Sequence, residues 1–151
     1  MQKITPFLMF NDKAGEAMEF YTSIFKDSKI ISKMPGPGGA VMGGSIEIEG
    51  QRINTFNGGP HFTFTPGISL FVTCETQEEI DDKYERLSAG GRQDRCGWLI
   101  DKFGVSWQIV PPVLGQLLGD SDREKASRVM QAMLKMNKII IQDLKDAAEQ
   151  V

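Results

Sequence analysis

The chain has 151 residues, 40% hydrophobic and 25% charged, with 17 Lys and Arg against 20 Asp and Glu. That is one domain's worth of chain, able to bury a core without disulfide or metal staples. A net charge of −3 without a basic tract argues against nucleic acid or a membrane as partner, and the single histidine, His61, excludes mechanisms that need two.

Residues 3–10 read as a short, largely buried strand, with Pro6 suiting its start. Helical spacing follows over 14–25, with Ala14, Ala17, Met18, Tyr21, Ile24 and Phe25 on one face and Asn11 or Asp12 as cap. Weaker strand signals cover 29–34, 41–49 and 52–56, with Gly50-Gln51 as a hairpin turn. The loop at 35–44 has five glycines but opens no helix and lacks the Lys-Ser/Thr of a phosphate cradle, so it reads as a lid or plain loop.

A second strong strand is predicted at 68–74, then a helix opened by Thr76 and Glu79 as a capping box and stopped at Gly90-Gly91. Residues 97–100 and 105–110 read as two strands around a turn, ended by Pro111-Pro112. Ser121 and Glu124 form another capping box for an amphipathic helix over 122–136, with Ala126, Val129, Met130, Met133 and Met136 inward, and a shorter helical piece spans 143–149. The apolar runs are far too short for a membrane span, and the N-terminus has no signal-peptide pattern. Cys74 and Cys96 read as reduced thiols, a disulfide between them staying open, and the expected location is cytoplasmic.

The chain repeats itself. At an offset of 64, Ile4 matches Ile68 and Phe7 matches Phe71; at 63, Glu16 matches Glu79 and Tyr21 matches Tyr84. The predicted class is therefore α+β. Two βαβββ modules, at about 3–60 and 66–112, form a curved mixed sheet whose concave face is the natural pocket, and a helical extension covers 113–151.

Several segments carry a resemblance. They are Ile4-Thr5-Pro6-Phe7-Leu8 with Glu16-Ala17-Met18-Glu19-Phe20-Tyr21, Asn57-Gly58-Gly59-Pro60-His61-Phe62, the run from Cys96-Gly97-Trp98 to Val110-Pro111, and the tail from Arg128 to Met136. Together they resemble the PhnB-like branch of the vicinal oxygen chelate superfamily, which includes glyoxalase I, a branch often labelled 3-demethylubiquinone-9 3-methyltransferase. The resemblance implies paired βαβββ modules and a homodimer. Metal enzymes of the superfamily place His, Glu or Gln on the inner strands. Here the first strand offers Thr5, Pro6 and Phe7, the strand at 68–72 offers Ile68, Ser69 and Leu70, and the usual Glu position after Asp101-Lys102-Phe103-Gly104 holds Gln108. One amide is too few donors for a transition metal, so no metal or cofactor is expected.

The candidate ligand-binding residues are Asn57, His61, Ser69, Trp98 and Gln108; no catalytic residue is assigned. Asn57 and Gln108 end strands at matching places and are equally readable as satisfied strand-end amides. His61 reads more readily as a loop residue than as a base, and the aromatics as core. The leading reading is a small-molecule-binding homodimer without the usual metal site, holding a partly aromatic ligand. The alternatives are a metal-independent enzyme on an aromatic or enolisable substrate, and the methyltransferase activity of the branch label. That last reading lacks the glycine-rich first strand-to-helix turn of the usual S-adenosylmethionine enzymes, since Phe10-Asn11-Asp12-Lys13-Ala14 stands there.

Overall fold

The computed structural model describes residues 2–150; Met1 and Val151, which end the predicted ranges, lie outside them. The chain divides into two compact units, up to residue 64 and from residue 65. Each contains one βαβββ repeat and its own four-stranded mixed sheet.

In the first unit, β1 (Phe7–Phe10) leads into α1 (Ala14–Ile24), then β2 (Ser28–Pro35), β3 (Val41–Ile48) and β4 (Gln51–Asn57). The sheet order is β1-β4-β3-β2, with β1 parallel to β4 and the other pairs antiparallel. Alternation gives the sheet one core face. Leu8, Phe10, Ile46, Ile48 and Ile53 are buried, as are Ala14, Ala17, Met18 and Tyr21 of α1. Phe7, Asn54 and Ser45 fall on the opposite face, on one rung. Neither Asn11 nor Asp12 caps α1: Lys13 stands at the cap position without a side-chain bond, and the Ala14 N–H donates instead to Asn57 Oδ1 at 2.8 Å.

The second unit runs β5 (Leu70–Thr73), α2 (Gln77–Ser88), β6 (Arg92–Gln93), β7 (Trp98–Ile100) and β8 (Ser106–Val110). Its sheet order, β5-β8-β7-β6, repeats that of the first, again with the first strand parallel to the last. Leu99, Trp107 and Ile109 are buried on the α2 face with Ile80, Tyr84 and Leu87. Thr76 caps α2, its Oγ1 accepting from the Glu79 N–H at 3.1 Å.

Three helices follow: α3 (Pro112–Leu118), α4 (Arg123–Leu134) and α5 (Ile141–Glu149). Pro111-Pro112 therefore ends the sheet and also starts a helix, because proline at the first helical position loses no hydrogen bond. The α4 cap is Asp122, which accepts from the Lys125 N–H at 3.2 Å, one residue beyond the predicted Ser121. Val110, Leu114, Val129, Ile139, Leu144 and Ala148 form one buried cluster that joins these helices to β8. Met133 and Met136 pack against it, whereas Met130 is 39% exposed, not inward. No helix among the described residues is long and apolar enough to cross a membrane.

Candidate functional site

The face of the second sheet turned away from α2 carries the polar and aromatic groups. Gln108 on β8 pairs in register with Phe71 on β5 and with Trp98 on β7, so the three form one rung across the sheet. Gln108 Nε2 donates to Ser69 Oγ at 3.0 Å, which fixes the amide on the strand. Beside this rung lies a cleft of about 400 Å3, lined by Phe71, Trp98 and Gln108, with Cys96, Leu118 and Met133 among its other walls. The volume is at the lower end of those usual for small-molecule sites.

Two structural devices hold the rung. Asp101, buried at the turn between β7 and β8, accepts from the Phe103 and Val105 N–H groups through Oδ1 at 2.9 and 3.0 Å, and from Trp107 Nε1 through Oδ2 at 2.9 Å. The Asp101-Lys102-Phe103-Gly104 signature thus builds the turn that sets the β8 register. On the other side of β7, Tyr84 Oη shares its one O–H proton between the carbonyl oxygens of Asp94, at 2.7 Å, and Trp98, at 2.9 Å. Burial and the nearby Asp94 carboxylate push the Tyr84 hydroxyl up to about 12, so it stays a donor.

The structure brings Ser69, Trp98 and Gln108 together and separates the other two candidates from them in role. Asn57 spends its amide on the backbone: Oδ1 accepts from Ala14 and Nδ2 donates to Val41 O at 3.3 Å. His61 is exposed on the loop after β4, and no hydrogen bond ties it down among the described residues. Nor is Asn57 the repeat mate of Gln108. Phe71 faces Gln108 as Phe7 faces Asn54, so the mate is Asn54, whose Oδ1 accepts from Ser45 Oγ at 2.6 Å. The Phe7 and Phe71 alignment, combined with parallel pairing of first and last strands, could have found Asn54 in the sequence.

Both cysteines are free. Cys74 is buried, and burial with the neighbouring Glu79 pushes its thiol up to about 12, which makes it unreactive. Cys96 lines the cleft with a left-handed backbone (φ 61°), and its N–H is spent on Met136 O at 2.8 Å. Among the described residues, no group of three or more His, Cys, Asp or Glu side chains could hold a metal ion. The residues at the second unit's expected ligand positions, Ser69 and Gln108, are a hydroxyl and an amide bonded to each other, a donor set that does not suit a transition metal.

The duplicated βαβββ unit, with the same strand order in both sheets, is the glyoxalase-like fold of the vicinal oxygen chelate superfamily. Within it, the chain belongs to the 3-demethylubiquinone-9 3-methyltransferase (PhnB-like) family, whose model matches residues 2–110. A putative 3-demethylubiquinone-9 3-methyltransferase, PhnB protein, from Bacillus cereus is 41% identical, with a TM-score of 0.69, over 73% of this chain and 99% of that one. The fold is shared by the fosfomycin resistance protein FosX from Listeria monocytogenes, solved with Mn(II) and sulfate (18% identity, TM-score 0.54, 72% of this chain and 92% of that one). It is also shared by a glyoxalase/bleomycin resistance protein from Albidiferax ferrireducens (14% identity, TM-score 0.51, 72% and 97%). Comparison with curated proteins gives no match.

Proposed function

We propose that this protein binds a small, partly aromatic molecule on the second sheet, through Trp98, Gln108 and Ser69, without a metal ion. The observation that carries the reading is the rung Phe71–Gln108–Trp98 bordering a cleft of about 400 Å3, where an amide fixed by Ser69 sits between two aromatic side chains. A few placed polar groups in an apolar wall are the usual make-up of a small-molecule site. A set of two hydroxyl or amide donors supports the metal-free part. The methyltransferase named by the family is the competing activity. It is disfavoured because the β1–α1 connection holds no glycine and Asn57 already occupies the α1 N-terminus, where a cofactor would be expected to dock.

A homodimer in the cytoplasm belongs to the same proposal. Phe7 and Phe71 are 55% and 59% exposed, and Ile4 and Ile68 are 88% and 77% exposed, at matching places on or before the edge strands β1 and β5. Apolar strand edges of this kind are normally covered. Light scattering that gives a mass near 16.8 kDa at micromolar concentration would sink the dimer.

The test is equilibrium binding, then turnover, with a panel of aromatic and enolisable compounds, including an S-adenosylmethionine arm. A ligand should bind about tenfold or more weaker to Gln108→Leu, because a lost hydrogen bond to a buried partner costs about 1–3 kcal/mol. Asn54→Leu should bind as the parent does. Equal losses in both, or none in Gln108→Leu, would remove the site from the second sheet. Methyl transfer would replace the binding reading.

A further inference from the structure

The helices α3 to α5 lie beyond residue 110, where the family match ends, yet they are tied firmly to the second sheet. The Gly97 N–H donates to Asn137 O at 2.7 Å, next to the Cys96 bond to Met136. Gln77 clamps the α4–α5 connection from both ends, donating to Ile139 O at 3.0 Å and accepting from the Ile141 N–H at 2.8 Å. Arg128 closes α5 by donating to Ala147 O and Ala148 O at 3.0 and 2.9 Å. The extension is therefore a fixed wall, and Leu114, Gly115, Leu118 and Met133 are its contribution to the cleft.

Three features of the cleft select its occupant. Among the described residues its lining holds no Lys, Arg, His, Asp or Glu, so a ligand charge entering it would lose water and gain no partner. Its walls on the sheet side include the aromatic side chains of Phe71 and Trp98, suited to a flat molecule, beside Thr73, Gln108 and Val110. Gln108 donates one end of its amide to Ser69, and among the described residues Oε1 accepts no bond, which leaves an acceptor for one ligand N–H or O–H.

Gly115 is the further sign. It sits in the middle of α3, where glycine is a poor helix former relative to alanine. No packing requires it: a Cβ built there meets nothing within 4 Å. It is exposed and is one of the residues that line the cleft. We infer that the C-terminal extension turns the second sheet into a cleft for a neutral, planar, largely apolar molecule, with Gly115 left bare to admit it and Gln108 reading one hydrogen-bond donor upon it. The inference rests on the proposed function and narrows it to a ligand class.

The test uses the full chain and two dyes that share a ring system and an N–H. N-Phenyl-1-naphthylamine is neutral; 8-anilinonaphthalene-1-sulfonate carries a sulfonate. The neutral dye should bind saturably, one per chain, at least about tenfold tighter than the sulfonate, and should quench Trp98. Gly115→Phe should abolish its binding, and Gln116→Phe, on the same helix but outside the lining, should not. If Gly115→Phe unfolds, Leu118→Trp takes its place. Equal or tighter binding of the sulfonate overturns the ligand class, and unchanged binding in the folded blocking variant overturns the cleft. If neither dye binds but another compound is held in a Gln108-dependent way, this inference falls and the proposed function stands.

Discussion

Across the first sheet, Phe7, Asn54 and Ser45 share one rung of β1, β4 and β3; across the second, Phe71, Gln108 and Trp98 share the matching rung of β5, β8 and β7. The amide stands in the middle of both. In the first rung it is closed off by the Ser45 hydroxyl on the same sheet. In the second, an indole replaces that hydroxyl, and the amide is held from the side by Ser69. Only the second sheet acquires helices after its last strand, and they line a cleft beside the rung. Duplication thus supplies two equivalent scaffolds, and two changed side chains plus an added segment give one of them a cleft beside its rung.

The turns before the last strand differ as much, and the largest expected effect lies there. In the first unit, β3 and β4 are joined by Glu49-Gly50 alone, both with positive φ, an exposed two-residue hairpin. In the second, the Asp101 carboxylate organises a longer turn and pins Trp107. Asp101→Ala should cost at least about 3 kcal/mol in urea unfolding, because three donors lose a charged acceptor and Trp107 Nε1 is left buried. Glu49→Asn, which also tolerates the left-handed region, should change stability by no more than about 0.5 kcal/mol. Similar costs at both turns would mean that Asp101 is not what sets the β8 register.

Alkaline pH should weaken the second unit next. Cys74 and Tyr84 both lie in the second unit, and burial raises them from 9.0 and 10.0 to about 12. An acid whose folded pKa is raised stabilises the fold fully below its unfolded pKa and loses that contribution as pH rises toward the folded one. Stability should therefore fall from about pH 9, by roughly 4 kcal/mol at about pH 11 for the two groups together. Cys74→Ser should move the onset upward, toward the tyrosine range. An onset unchanged in that variant would take Cys74 out of the account.

How far the sequence carries is clear from particular residues. The two βαβββ repeats are legible because periodicity of two and of 3.6 alternates cleanly and Phe7 aligns with Phe71. The two-residue strand β6 is too short to leave a pattern, and α3 hides behind a proline pair that signals both a stop and a start. Asn57 misleads because its partner, Ala14, lies 43 residues away in sequence; only folding shows that its amide replaces the missing local cap. Counting on from the match of Asn54 with Gln108, its place is held in the second unit by Pro111, which has no amide to offer. Asn57→Ala should cost about 1–2 kcal/mol of stability, as other N-cap losses do, and leave ligand affinity unchanged. A loss of affinity without a loss of stability would return Asn57 to the binding site.

The smallest effect is expected one step along β8 from the amide. Ser106 lies two residues before Gln108, on the same face, and pairs with Ile100; at the matching rung of the first sheet, Arg52 pairs with Glu47. Where the first sheet keeps two solvated charges, the second buries a hydroxyl. Ser106 is 2% exposed, and its Oγ has no hydrogen-bond partner among the described residues. An unsatisfied buried hydroxyl gains nothing for the fold and loses its water, so Ser106→Ala should be neutral or stabilising by up to about 1 kcal/mol. Its urea midpoint should equal or exceed that of the parent, with an unchanged m-value. A stability lower by more than about 1 kcal/mol would show that the hydroxyl has a partner in solution, an ordered water or the ligand itself. The polar row of the second sheet would then span two rungs, and the contrast with the first sheet would be one of depth as well as side-chain identity.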